Sequence, residues 1–275
     1  IATMLANNIL NRGGSTMIQR LRDETGADIA EIVKAFALAR DTYDIEELLD
    51  EIDALDNRVE NAVQAALYLD VQTLIRRQTV WFLRHGTDGS GLEPVVARYR
   101  DGISILDKVL GKVLPTHLAE GVRQRTEQLD EAGVPTQLAK RMASLPVLRR
   151  GVDIVLVATA TGKSVEQVAR VFFQLGGELG TDELLERAEA TEASGYYDRL
   201  ALNRVIENIT AAQRRLTTEA LSLTGKKDPL QRWLESHAQP MDRAKSAVSE
   251  LVDSGTLTLS KLSVASAYMH DLAEQ

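Results

Sequence analysis

The protein has 275 residues, of which 44% are hydrophobic and 26% are charged, and it contains no cysteine. This length and apolar content suffice for one large hydrophobic core or two small ones, which excludes an intrinsically disordered chain. The 32 basic and 40 acidic side chains give a formal net charge of −8, which argues against a protein that mainly neutralises phosphates. The lack of cysteine excludes disulfides, Fe–S clusters and thiolate zinc sites, and it fits a reducing cytoplasm.

The first residues of the sequence have none of the patterns typical of a targeting signal. It begins Ile1-Ala2-Thr3, without a methionine, a basic leader or the apolar core of a signal peptide. We interpret the chain as a piece of a longer polypeptide, although a processed chain would begin in the same way. No apolar run approaches the roughly 20 residues that a bilayer span needs, so we predict no membrane partner.

Helical periodicity runs through the chain from its first residues. Gly13-Gly14 is predicted to end a first helix, and no glycine or proline interrupts residues 57–85. This segment predicts one long helix of roughly 28 residues, about 40 Å in length. Three other segments have apolar residues at helical spacing, so that each forms an apolar stripe along one side of a helix. The stripes consist of Ile45, Leu48, Leu49, Ile52 and Leu55; of Leu202, Val205, Ile209, Ala212 and Leu216; and of Leu259, Leu262, Met269 and Leu272.

Glycines and prolines divide the remaining chain into short helices. The glycine-rich run at 86–91 is the clearest loop and the best internal boundary. Prolines suited to the first turn of a helix occur at Pro115, Pro135, Pro146, Pro229 and Pro240. Only residues 152–157, rich in β-branched side chains, are equally compatible with a strand or a helix. The pattern therefore predicts an all-α, multi-helix bundle with short loops.

The segment Gly162-Lys163-Ser164 imitates a nucleotide-binding motif. A phosphate-binding loop needs another glycine five residues before Gly162, where this chain has Val157. Ser164 and Gln167 instead have the spacing of a capping box, in which the hydroxyl and the amide satisfy free backbone groups at a helix start. We therefore predict a helix N-terminus here, and we find no dinucleotide-binding glycine pattern elsewhere in the sequence.

The other chemically suggestive residues have simpler interpretations. The four histidines lack metal-ligand spacing, the acidic residues between 46 and 56 lack the spacing of a calcium loop, and the paired basic residues are scattered. We interpret the histidines and the acidic residues as loop or helix-surface residues, and because the basic pairs are scattered among acidic residues we predict no nucleic-acid partner. The two tryptophans are predicted to be core or interface anchors. The residues concerned are His85, His117, His237, His270; Glu46, Glu47, Asp50, Glu51, Asp53, Asp56; Arg76-Arg77, Arg149-Arg150, Arg214-Arg215, Lys226-Lys227; Trp81 and Trp233.

Several stretches together resemble one protein family. They are residues 5–14 (LANNILNRGG), 24–27 (ETGA), 35–40 (AFALAR), 55–57 (LDN), 76–77 (RR), 81–84 (WFLR), 211–217 (AAQRRLT) and 262–265 (LSVA). The resemblance is to the large NAD-specific glutamate dehydrogenases of bacteria, in the helical region that follows the catalytic core. It extends along the whole chain, although none of its motifs is chemically diagnostic.

The resemblance implies a full-length enzyme that oxidises L-glutamate to 2-oxoglutarate and ammonia with NAD as hydride acceptor. Such an active site needs a lysine-assisted carboxylate and a Rossmann domain, and neither pattern matches this chain. We therefore assign no catalytic, cofactor-binding or metal residue and expect the chain alone to be inactive. The alternative is an independent helical interaction module without enzymatic activity.

The resemblance also implies a domain organisation. Residues 1–88 are expected to follow and pack on the protein's own catalytic core, and residues 89–275 to form a C-terminal helical bundle. The long helix can carry apolar residues beyond those that one small bundle covers, for example Leu67, Leu74, Ile75 and Trp81, and any left exposed without that core would form an apolar patch. The alternative is that residues 91–275 cover them completely. The expected assembly is a cytoplasmic homo-oligomer that this helical region supports or regulates.

Overall fold

A computed structural model describes residues 17–86, 89, 91–191, 193, 195–223 and 228–274. Throughout these ranges the regular secondary structure is helical and no strand occurs. Residues 152–157, where the sequence allowed a strand, lie within a helix. The predicted all-α fold is therefore confirmed.

The chain forms two compact units. Unit 1 comprises the described residues within Ile1–Leu110 and Thr116–Val152, and unit 2 those within Gly111–Pro115 and Asp153–Gln275. The predicted division into 1–88 and 89–275 concerns packing on a catalytic core, and it stays a prediction. Gly13-Gly14, Lys226-Lys227 and residues 5–14 of the resemblance lie outside the described residues.

Unit 1 is built from seven helices and the beginning of an eighth. They are α1 (described at 17–25), α2 (Ile29–Thr42), α3 (Ile45–Asp53), α4 (Asn61–His85), α5 (Leu92–Val113, of which residues through Leu110 belong here), α6 (Thr116–Glu131), α7 (Thr136–Leu148) and the first residues of α8 (Gly151–Thr161).

The core of unit 1 forms where α2, α3 and α4 pack on one another. Leu21 of α1 joins this core through Ile32 of α2 and Val80 of α4. An aromatic cluster ties α4 to α5, because the Trp81 and Phe82 rings each meet the Tyr99 ring edge-on at 5.3 Å. Edge-to-face pairs of this kind stabilise a core beyond the area that they bury.

The long helix α4 is shorter than the sequence predicted. It begins at Asn61 rather than Asn57, because Asn57 has a φ of 61° and the left-handed conformation cannot continue a right-handed helix. The chain turns between Ala54 and Glu60 before α4 starts. With 25 residues α4 is also not the longest described helix, since α11 (Tyr196–Ser222) has 27.

The expectation of an exposed apolar patch on α4 was wrong. Leu67 and Leu74 are at most 3% exposed, and Ile75 and Trp81 are 8% and 6% exposed. Helices α2, α3 and α7 pack against α4 and cover its apolar side chains. Among the described residues 17–86, the large apolar side chains that are exposed are instead Ile29 and Leu69.

Unit 2 contains the remaining helices of the described chain. They are the rest of α8, α9 (Val165–Leu179), α10 (Thr181–Ala190), α11, α12 (Pro229–Ser236), α13 (Ala238–Asp253) and α14 (Leu259–Ala273). Helix α11 packs against α9, α10, α12 and α14 and is the centre of the unit. Its predicted stripe is buried in full, at Leu202, Val205, Ile209, Ala212 and Leu216.

The helix-start signals hold with one exception. Asp228 caps α12 by accepting hydrogen bonds from the Leu230 and Gln231 amides, with Pro229 at the first helical position. Pro115 and Pro135 directly precede α6 and α7, and Pro240 lies in the first turn of α13. Pro146 was predicted wrongly, because it lies inside the last turn of α7.

Candidate functional site

The motif at Gly162 forms a helix start. Ser164 is the N-cap of α9, its hydroxyl accepting from the Gln167 amide at 3.3 Å while the Gln167 side chain accepts from the Ser164 amide at 3.2 Å. Gly162 has a φ of 66°, and Val157 lies within α8. This geometry confirms the predicted capping box.

The histidines lie at four separate helix positions. The His85 ring lies 5.1 Å from the Trp81 ring, and His237 stacks on Trp233 at 4.6 Å. His270 Nε2 is 3.3 Å from Glu274, and His117 is in the first turn of α6. Within the described chain, no group of three or more histidine and carboxylate side chains is arranged to hold a metal ion.

The acidic face of α3 is used for ion pairs within unit 1. Arg141 of α7 bonds Glu51 at 2.6 Å and approaches Glu47 at 3.8 Å, and Arg40 of α2 lies 3.6 Å from Glu46. These pairs are partly or largely exposed, so each contributes little stability. Asp50 and Asp56 are exposed, as predicted for a solvated helix face.

One basic pair contains a buried ion-pair centre that the sequence did not reveal. Arg214 of α11 bonds Asp153 of α8 at 2.6 Å and Glu207 of its own helix at 3.0 Å, and the Asp153 side chain is only 4% exposed. Burial lowers the pKa of Arg214, but the two carboxylates together raise it above its usual range. Its neighbour Arg215 is 57% exposed, as a surface residue.

A second buried polar group joins α9, α10 and α11. Gln213 is fully buried, its amide donating to the Phe172 carbonyl at 3.0 Å and its carbonyl oxygen lying 3.3 Å from the Thr181 hydroxyl. Gly176 leaves the room for it, because a Cβ there would lie 2.7 Å from Gln213 Nε2. Within each of these two groups the buried polar side chains hydrogen-bond to neighbouring helices, as expected for polar groups with a structural role.

The best candidate for a functional site is a pocket in unit 1, which we call the α1–α4 pocket. It has a volume of roughly 420 Å³ and opens between the first four helices. Its lining consists of Met17 and Arg20 from α1, Phe36 and Arg40 from α2, Ile45, Glu46, Leu49 and Asp53 from α3, and Tyr68, Val71, Gln72, Ile75 and Arg76 from α4. An apolar pocket with a few converging polar groups is the usual form of a ligand site.

The floor and the rim of the α1–α4 pocket differ in character. Phe36, Ile45 and Val71 are at most 2% exposed and give an apolar floor. Arginines and carboxylates from all four helices form the rim. Arg40 is held by Asp41 at 2.6 Å, and this hydrogen bond raises the pKa of the guanidinium, so it stays charged.

No motif in the sequence indicated the α1–α4 pocket. Its α4 residues alternate polar and apolar types at helical spacing, at Tyr68, Val71, Gln72, Ile75 and Arg76, whereas a simple core stripe is apolar throughout. That mixed stripe is the one signal that could have indicated it. The convergence of Arg20 and Arg40 on the same cavity depends on how four helices pack.

Two further observations are the membrane propensity of the helices and the similarity of the chain to known proteins. No helix in the described ranges combines the length and the apolar character required to traverse a bilayer. The chain is 29% identical to an NAD-specific glutamate dehydrogenase of Halomonas elongata and 27% identical to one of Pseudomonas aeruginosa, in each case over 100% of this chain and 17% of the relative. It is 23% identical to an NAD-specific glutamate dehydrogenase of Mycobacterium tuberculosis, over 96% of this chain and 16% of that protein.

The chain thus spans about one sixth of the length of these relatives. The family model described as "Glutamate dehydrogenase, C-terminal" matches residues 1–271, which is nearly the whole chain. The protein therefore belongs to the glutamate dehydrogenase C-terminal family.

Proposed function

We propose that the chain is the noncatalytic C-terminal helical region of a large NAD-specific glutamate dehydrogenase. The complete polypeptide would convert L-glutamate to 2-oxoglutarate and ammonia in the cytoplasm, with NAD as the hydride acceptor. The observation that carries the proposal is the family match over residues 1–271 in a chain that spans only one sixth of its relatives. The described residues are helical, whereas a dinucleotide-binding Rossmann fold needs a parallel sheet, which supports placing NAD elsewhere in the polypeptide.

The role of the region in this proposal is to pack on its own catalytic core and to support or regulate a homo-oligomer. Residues 1–88 form the docking segment. Ile29 at the start of α2 and Leu69 on α4 are 52% and 62% exposed, so they are apolar side chains that a partner surface would cover. Removing their apolar surface from water would favour association.

The catalytic part of the proposal is tested on the 275-residue chain and the complete polypeptide side by side. Calorimetry with NAD and a glutamate-dependent assay of NADH absorbance should show binding and turnover in the complete polypeptide alone. Saturable micromolar NAD binding by the 275-residue chain would contradict the proposal. An upstream reading frame without a dehydrogenase sequence would favour the independent helical module instead.

The docking part is tested by hydrogen exchange on the same two proteins, once circular dichroism shows that the shorter one is helical. Protection in the complete polypeptide should rise mainly within residues 1–88. In that polypeptide Leu69→Asp should weaken assembly, whereas the control Val264→Asp, at a side chain 47% exposed on α14, should not. A gain of protection confined to residues 195–275 would place the interface elsewhere.

A further inference from the structure

The α1–α4 pocket has the size and the floor of a small-molecule site. Its volume of roughly 420 Å³ falls within the range of about 300–1,000 Å³ that is usual for ligand pockets. Phe36, Ile45 and Val71 form a buried apolar floor, and Ile75 beside them is 8% exposed. This floor offers an apolar contact surface to the body of a ligand, as the walls of ligand pockets commonly do.

On one side of the pocket, α3 presents carboxylates that already have partners within the protein. Glu46 lies 3.6 Å from the Arg40 guanidinium, which Asp41 also holds. Asp53 accepts a hydrogen bond from the Tyr68 hydroxyl. Of the described residues named on this side, Arg40 is the one cation beside three carboxylates, so this side stays negative and disfavours an anionic head group, which would have to lie on the opposite side of the pocket.

On the other side, α1 and α4 bring hydrogen-bond donors together. Gln72 and Arg76 are one turn apart on α4, and Arg20 and Glu24 are one turn apart on α1. The two helices meet here, since Arg76 Nη1 lies 3.7 Å from Glu24 Oε2. That separation is an ion pair but too long for a hydrogen bond.

This edge of the rim has spare donors. Arg20 and Gln72 are both exposed and line the pocket, and neither side chain bonds to another described residue, so their donors can turn to a ligand without breaking a bond within the protein. A guanidinium presents a planar fork of N–H groups that matches a carboxylate, and an amide N–H adds a further donor. The donor edge is thus suited to an anionic head group above an apolar floor.

We infer that the α1–α4 pocket binds an amphipathic carboxylate, a small molecule with one carboxylate and an apolar body. The carboxylate is held by Arg20, with Gln72 and Arg76 beside it. The apolar body lies on Phe36, Ile45 and Val71. This site is separate from the dehydrogenase chemistry proposed above and does not rest on it.

Three probes with the same apolar body and different head groups test the inference on the 275-residue chain. They are 4-phenylbutyrate, 4-phenylbutan-1-ol and 4-phenylbutylamine, titrated by calorimetry. The carboxylate should bind about tenfold more tightly than the alcohol, the factor that one charge-assisted hydrogen bond supplies, and the amine should bind most weakly. Equal affinities for the three probes, or no saturable binding of the carboxylate, would overturn the inference.

Variants then locate the binding site. Arg20→Gln should lower the affinity for 4-phenylbutyrate by about tenfold and leave that for the alcohol unchanged, because only the charged head group is affected. Arg215→Gln, at an arginine 57% exposed in unit 2, is the matched control and should change neither affinity. Leu49→Trp, which fills the pocket, should weaken all three probes. Equal effects of the two arginine variants, or full carboxylate affinity in Leu49→Trp, would show that the anion binds elsewhere.

Discussion

Replacement of Gly176 by alanine should destabilise unit 2, although alanine is the better helix former. Gly176 lies within α9, and an added Cβ would be 2.7 Å from Gln213 Nε2 and 3.1–3.2 Å from the two Asp182 carboxylate oxygens. The first distance is shorter than a van der Waals contact. Gln213 is fully buried, so its side chain has nowhere to move without losing the bond to the Phe172 carbonyl.

The expected magnitude follows from three opposing effects. Alanine gains about 1 kcal/mol over glycine in a helix interior. Overpacking a filled core costs about 1–3 kcal/mol, and leaving a buried hydrogen-bonding group unsatisfied costs about 1–3 kcal/mol more. The net effect of Gly176→Ala is therefore a loss of about 1–5 kcal/mol in the free energy of unfolding.

The assay is urea unfolding followed by tryptophan fluorescence. Trp233 is in unit 2 and Trp81 is in unit 1, so a Trp81→Phe background makes the signal report unit 2 alone. Gly121→Ala is the matched control, followed by circular dichroism. Gly121 is inside α6 with open space at its Cβ position, so alanine there should stabilise by about 0.4–1 kcal/mol.

A double-mutant cycle checks the stated cause. If the clash with Gln213 is responsible, Gly176→Ala should cost much less in a Gln213→Ala background, where the obstructing amide is absent. The reasoning is refuted if Gly176→Ala stabilises unit 2 as Gly121→Ala stabilises α6. It is also refuted if the cost is the same in both backgrounds.

Three other substitutions probe separate features. Ser164→Ala should lower the free energy of unfolding by about 0.5–2 kcal/mol, because the α9 cap is lost, whereas Lys163→Ala at an exposed side chain should be nearly neutral in the same thermal melts. If Lys163→Ala alone abolished the binding of a phosphate ligand, the capping interpretation would be reversed. Arg214→Met should cost about 3–5 kcal/mol, because it removes the ion pair that Arg214 forms with the buried Asp153 carboxylate. Unchanged urea unfolding would contradict this. Burial raises the pKa of Asp70 despite a nearby arginine, so its ionised form is disfavoured in the folded state. Asp70→Asn should accordingly stabilise the protein at neutral pH, and this gain in the free energy of unfolding should shrink as the pH falls through the usual range of aspartate pKa values. A gain that instead grows toward low pH would contradict the prediction.

The helical fold could be predicted because its signals are local. Apolar spacing along α11 depends on the period of the helix alone, and all five residues of that stripe are buried as expected. The Ser164 cap is likewise a matter of three neighbouring residues. Each is determined by backbone geometry within one or two turns, before any tertiary contact forms.

The sequence was insufficient where a structural feature depends on the backbone conformation of one residue or on packing between residues far apart in the chain. Asn57 stands in a segment without glycine or proline, yet it adopts a left-handed φ and delays the start of α4. The sequence left open whether Trp81 is a core or an interface residue, and it packs on Tyr99 of the following helix. Neither result follows from composition or periodicity.

The sequence by itself determined the helical class, the main apolar stripes, the cap of α9 and, through resemblance, the family. Only the tertiary structure decided which polar side chains meet. Arg214 and Asp153 are 61 residues apart in the sequence, yet they form a buried ion pair. Arg20 and Gln72 come from different helices, yet both line one pocket. The physical reason is that a helix fixes spacing only within a few turns, whereas charge pairing and cavity shape depend on how several helices pack in three dimensions.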